Sequence, residues 1–134
     1  MAIITIDLIL TGSSLDFSEI TEYLGVNPTK TRKKNDWPTI SIQMGIAQDE
    51  WIYCGQSKDG WTTSEALSEF AQLFQGKETA VQKLLKKYNM RVCVLINVQC
   101  NTDELPVINV SPTNNVFLSS FEAELMFNLQ LNDV

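Results

Sequence analysis

"RVCVLINVQC", residues 91–100, decides the fold. Val92, Val94, Ile96 and Val98 alternate with Cys93, Leu95 and Asn97, and both sets are largely apolar. A period of two marks a strand, and apolar residues on both faces place that strand in the middle of a sheet. Every other element is read by what it adds to this strand.

The start of the chain, "MAIITIDLIL" (residues 1–10), shows the same period: Ile4, Ile6, Leu8 and Leu10 alternate with Thr5, Asp7 and Ile9. With Asp7 inside the apolar stretch and no basic leader, it reads as a strand and not as a signal peptide. Asp16 then suits the N-cap of a helix bearing Phe17, Ile20 and Leu24, with Gly25 as its left-handed stop and Pro28 preventing continuation. Ile40, Ile42, Met44 and Ile46 alternate with Ser41, Gln43 and Gly45, which predicts a second strand. A turn near Gln48 and Asp49 would return this strand as residues 50–56 in an antiparallel hairpin, with Trp51 opposite Ile46 and Tyr53 opposite Met44 on the core face.

Thr62 and Glu65 have capping-box spacing for a helix whose apolar stripe is Ala66, Leu67, Phe70, Leu73 and Phe74. Beyond Gly76 the stripe continues through Val81, Leu84, Leu85 and Tyr88, as one bent helix or two short ones. Ser111 and Pro112 suit the N-cap and first position of a brief helix holding Val116 and Phe117. Last, Ala123, Leu125, Phe127, Leu129 and Leu131 oppose Glu122, Glu124, Met126, Asn128 and Gln130, a long strand with one wet face. The order predicts a single α+β domain over residues 1–134. Its expected architecture is a ferredoxin-like, split β-α-β core with a mostly antiparallel sheet, helices on one face, and an added C-terminal helix-strand.

Composition narrows the chemistry. The chain of 134 residues is 44% hydrophobic, enough for one buried core. No apolar run approaches the ~20 residues that span a bilayer, so no membrane role is expected. The three cysteines, Cys54, Cys93 and Cys100, form an odd set without metal-ligand spacing, which suits reduced thiols and a cytoplasmic location. A net charge of −6 argues against nucleic acid as partner, because that affinity comes from cations neutralising phosphates. There is no histidine, which excludes Ser-His-Asp and Cys-His catalysis and His-ligated zinc. No glycine-rich strand-to-helix loop is present for a nucleotide, and no cofactor is implied. Asp16 with Glu19, and Asp49 with Glu50, read as cap and turn residues before they read as acid-base pairs.

Three groups remain as candidate binding residues. Trp37 and Trp61 stand in polar, loop-like surroundings, where a tryptophan either packs locally or anchors a partner. Asp103, Glu104, Glu122 and Glu124 would form an acidic docking surface. Lys30, Arg32, Lys33 and Lys34 sit within five positions beside Trp37, and would serve an alternative role as an anion clamp.

Taken together, "FSEITEYLGVNPTKTRKKNDW", the Trp51 strand, the helical pair, "RVCVLINVQC" and "EAELMFNLQL" resemble a bacterial family known as domain of unknown function 4279. The resemblance spans nearly the whole chain. It implies a small cytosolic α+β domain without established enzymatic activity, and it supplies no catalytic residues. The expected function is a non-enzymatic protein-binding module of the immunity-protein type, one that neutralises a co-encoded toxin. The alternative is a regulator that binds a small molecule or nucleotide through residues 30–34.

Overall fold

The computed structural model describes residues 2–60 and 62–132 of the chain. Its centre is the antiparallel pair of β1 (Ala2–Gly12) and β5 (Arg91–Asn101), in register from Ile3 opposite Gln99 to Thr11 opposite Arg91. The alternation read from the sequence becomes the two faces of this pair. Ala2, Ile4, Ile6, Leu8 and Leu10 of β1, and Val92, Val94, Ile96, Val98 and Cys100 of β5, all lie buried on one side.

Helices roof that side. Buried on their inner stripes are Ile20 and Leu24 of α1 (Phe17–Leu24), Leu67 and Phe70 of α3 (Thr63–Gln72), Val81 and Leu84 of α4 (Glu78–Tyr88), and Phe117 and Leu118 of α5 (Pro112–Ser120). An aromatic chain, Tyr53–Phe70–Phe74–Phe121–Phe117, runs through the layer with ring centroids 4.7–6.3 Å apart. The predicted helix ends are in place: the Glu19 N–H donates to Asp16 and the Glu65 N–H to Thr62, and Gly25 takes φ 73. Gly76, at φ 82, separates α3 from α4, so residues 63–88 form two helices.

The sheet has six strands in the order β2-β3-β1-β5-β6, and β4 also pairs with β1. The remaining strands are β2 (Lys30–Arg32), β3 (Asp49–Cys54), β4 (Lys58–Gly60) and β6 (Ala123–Asn132). Every pairing is antiparallel except β5–β6, which the α5 crossover makes parallel. The result is a mixed α+β domain with a mostly antiparallel open sheet, and residues 91–100 are central in it as read.

Three expectations need correction. Residues 40–46 form no strand: Thr39–Gln43 are a short helix, α2, and Gly45 follows at φ 74. Both edges of β3 are already occupied, by β1 on one side and β2 on the other, so the ladder has no place for a further strand. Trp51 accordingly pairs with Leu10 and Thr31 instead of Ile46, and Tyr53 pairs with Leu8 instead of Met44. Both still face the core. Trp51 is fully buried and its indole N–H donates to the Thr21 hydroxyl at 3.1 Å.

Leu73, expected on the buried stripe, is 49% exposed: the buried stripe runs through Thr63, Leu67, Phe70 and Phe74, and Leu73 lies at its edge, where it lines a cleft with Ala66 and Glu69. The last strand also departs from its expected dry face. Leu125 packs against the core, but Phe127, Leu129 and Leu131 on the same face are 42%, 44% and 47% exposed, beyond the cover of the helices.

Gly55 marks the point where residues 49–60 change from β3 to β4 along the same side of β1. Its N–H donates to the Ile6 carbonyl at 2.8 Å, and a Cβ there would lie 2.9 Å from that oxygen and 3.1 Å from the Phe70 ring. Because the close neighbour is backbone, Gly55→Ala is expected to cost about 1–3 kcal/mol in urea unfolding. An unchanged midpoint would show that β1 and β3–β4 do not approach as described.

Candidate binding surface

The basic stretch is held from below by one carboxylate. Asp49 is buried at the start of β3 and accepts from the Leu15 N–H at 3.0 Å and the Lys34 N–H at 2.8 Å, with the Lys33 ammonium 3.5 Å away. Burial pushes this carboxyl up, but the two backbone donors and the Lys33 charge outweigh it and hold it below its ordinary value. Lys33 also donates to the Leu15 carbonyl at 3.0 Å and lies over the Phe17 ring. One side chain therefore ties together the β1–α1 loop, the segment after β2, and β3.

Arg32 is used in a similar way. Its guanidinium contacts Glu50 at 2.8 Å and stacks over the Trp37 ring at 3.8 Å from the centroid. Trp37 is half-buried, and among the described residues its enclosed indole nitrogen has no hydrogen-bond partner. Of the two roles left open for Trp37, local anchor of the loop is the one its surroundings fit. The four cations do not converge on a common point: Arg32 and Lys33 face carboxylates of β3, while Lys30 and Lys34 extend from exposed positions.

Anchoring on both sides leaves the intervening segment outside. Ile40, Ile42, Met44 and Ile46 are 62%, 42%, 67% and 55% exposed, four large apolar side chains within one short stretch. Sequence reasoning missed this surface because the same alternation fits a half-buried strand. What would have signalled otherwise is Pro38 immediately before it and Gly45 within it.

The acidic candidates do not form one face. Asp103 and Glu104 follow the end of β5, whereas Glu122 and Glu124 flank the start of β6, which is level with the start of β5. Ten residues of strand, or roughly 30 Å, lie between the two groups. Glu122, at φ 49, belongs to the turn before β6 and not to its outer face. Trp61 lies outside the described residues.

Among the described residues, one shallow concavity lies beside Glu122 and Glu124, lined also by Lys86, Asn89 and Arg91, and two others assemble no acid-base or nucleophilic pair. A cleft of about 250 Å³ between α3 and the sheet is lined by Ile4, Ile6, Tyr53 and Phe70, with the Lys58–Glu69 ion pair at its rim. On the open face, Asn128 donates to Asn97 at 3.2 Å and Asn97 to Asp7 at 3.1 Å, beside Cys54. Burial and the neighbouring Asp7 push the Cys54 thiol up, and burial does the same to Cys93, so neither is activated as a thiolate. Among the described residues, no group of three or more His, Cys, Asp or Glu is placed to hold a metal ion, and no helix is long and apolar enough to cross a membrane.

The model of a family described as a domain of unknown function, DUF4279, matches residues 3–132. No curated protein and no solved structure matches the chain.

The role given to Asp49 has two measurable consequences. Asp49→Ala strands two inward N–H groups and is expected to cost about 2–4 kcal/mol in denaturant unfolding. Because the folded value lies below the ordinary 3.8, the carboxylate's contribution is fully present above that pH and is lost as pH falls through the folded value. The Asp49→Asn variant should therefore show a flatter decline of stability between neutral pH and pH 3 than the parent chain. Identical acid profiles would remove Asp49 as the clip.

Proposed function

We propose that this chain, which belongs to the DUF4279 family, is a non-enzymatic protein-binding module. The observation that carries this reading is the exposed apolar stretch Ile40, Ile42, Met44 and Ile46 on and after α2. An apolar patch of this kind costs solubility unless a partner covers it, and soluble chains seldom display one without use. The segment is short, and both its ends are fixed, by the Asp49 clip before it and by β3 after it. It is therefore presented with little freedom to lose on binding, which favours affinity. Met44 adds a side chain that adapts to an irregular groove.

The more specific form of the proposal is an immunity protein that occupies the basic cleft of a co-encoded toxin. Its support is the net charge of −6, which would steer the chain toward a basic partner before the apolar contacts form. The alternative, an anion clamp at residues 30–34, is supported less well, since Arg32 and Lys33 already face Glu50 and Asp49.

The test is affinity capture from the native host with the neighbouring reading frame expressed, comparing the parent chain with an Ile40→Asp, Met44→Asp variant. A stoichiometric partner is expected on the parent. Its loss from the variant, by about 2 kcal/mol or more, with unchanged circular dichroism, would support the reading. Equal capture by both chains would exclude α2 as the anchor, and a thermal shift with nucleotides but no protein partner would favour the clamp.

A further inference from the structure

The two edges of the sheet are built differently. One edge is β2, only three residues long, exposed throughout and carrying Lys30 and Arg32. Short, charged edge strands are a usual protection against edge-to-edge pairing. The other edge is β6, ten residues long, paired on one side with β5 and, among the described residues, open on the other. From Leu125 to Asn132 it carries no charged residue. Phe127, Leu129 and Leu131 are half-exposed on its helix-side face, and Met126 is 48% exposed on the other. A long, uncharged, apolar edge of this kind lacks every protection that β2 has.

We propose that β6 pairs antiparallel with β6 of a second copy of this chain, making a twofold dimer with a continuous sheet. The choice of a second copy rests on self-complementarity, which a twofold interface requires. With the axis at Asn128, Phe127 of each copy lies opposite Leu129 of the other, and Leu125 lies opposite Leu131. The two unroofed strips then close into one apolar ribbon between the helical layers. On the open face Met126 falls opposite Gln130. Glu124, the only charge on the strand, falls opposite Asn132 and not opposite its own counterpart, so no like charges meet. Joining the nine residues 124–132 of each copy edge to edge and covering these side chains buries on the order of 1,000 Å² in total, about the lower bound for a specific interface. This surface is separate from α2, so the dimer stands or falls independently of the partner proposed above.

Sedimentation equilibrium of the intact chain is the test. At about 100 µM, where a micromolar association would be nearly saturated, the mass should be twice the 15.1 kDa of the monomer. Leu129→Lys places a charge in the ribbon, and Asn128→Lys brings two charges together at the axis without touching the core face. Each is expected to weaken the dimer about tenfold or more, with unchanged circular dichroism. A parent chain that stays monomeric at this concentration overturns the proposal and leaves the edge to a strand of a different protein. Open-ended growth beyond two copies, or full dimerisation of Asn128→Lys, overturns it equally.

Discussion

The helical layer of this protein is narrower than its sheet, and that mismatch governs what the surface can do. Side chains on the helix side of β1 and β5 are buried from one end to the other, while the same face of β6 loses its cover after Leu125. Hydrophobic burial is the main favourable term in folding, and here the central pair of strands supplies one whole wall of the core. The strand beyond that pair is held by its ladder to β5 and by the α5 crossover, with less burial of its own. Apolar side chains left there contribute little to the folded monomer and stay available for another surface.

At the opposite edge the same question is settled by charge. Asp49 and Glu50 begin β3, and each receives one cation of the preceding basic stretch. A buried carboxylate is costly unless donors surround it, and Asp49 has two backbone N–H groups as well as Lys33. The arrangement converts a run of cations into loop anchors, with Trp37 stacked under Arg32 as the second attachment. Residues 39–46 are left between two fixed points with their large apolar side chains facing water.

Much of the fold was legible in the sequence because local signals and tertiary placement agree. β1 and β5 show a clear period of two, α1 and α3 combine an apolar stripe with the cap read for them, and Ser111 caps α5 and even forms a reciprocal capping box with Asn114. Asn114 itself went unread, although it is buried and also bonded to Ser64 and Ser68 of α3, since nothing local reveals contacts to residues some fifty positions earlier. Asp49 was missed for the same reason: its partners lie 15 and 34 positions away. Residues 40–46 misled because a period of two identifies a strand only when a neighbouring edge is free to receive it. The candidate cations were found by composition, but their pairing with β3 depends on a three-residue strand, β2, too short to show a period.

The central claim is that residues 39–46 are an anchored, water-facing segment and not part of the sheet. Backbone hydrogen–deuterium exchange of the isolated chain tests it directly, since protection follows the stability of the hydrogen bonds in each element. Rapid exchange is expected across residues 40–46 beside slow exchange across residues 50–54. Protection of 40–46 equal to that of β3 would contradict it, restore the hairpin, and remove the apolar surface from which the proposed function is argued.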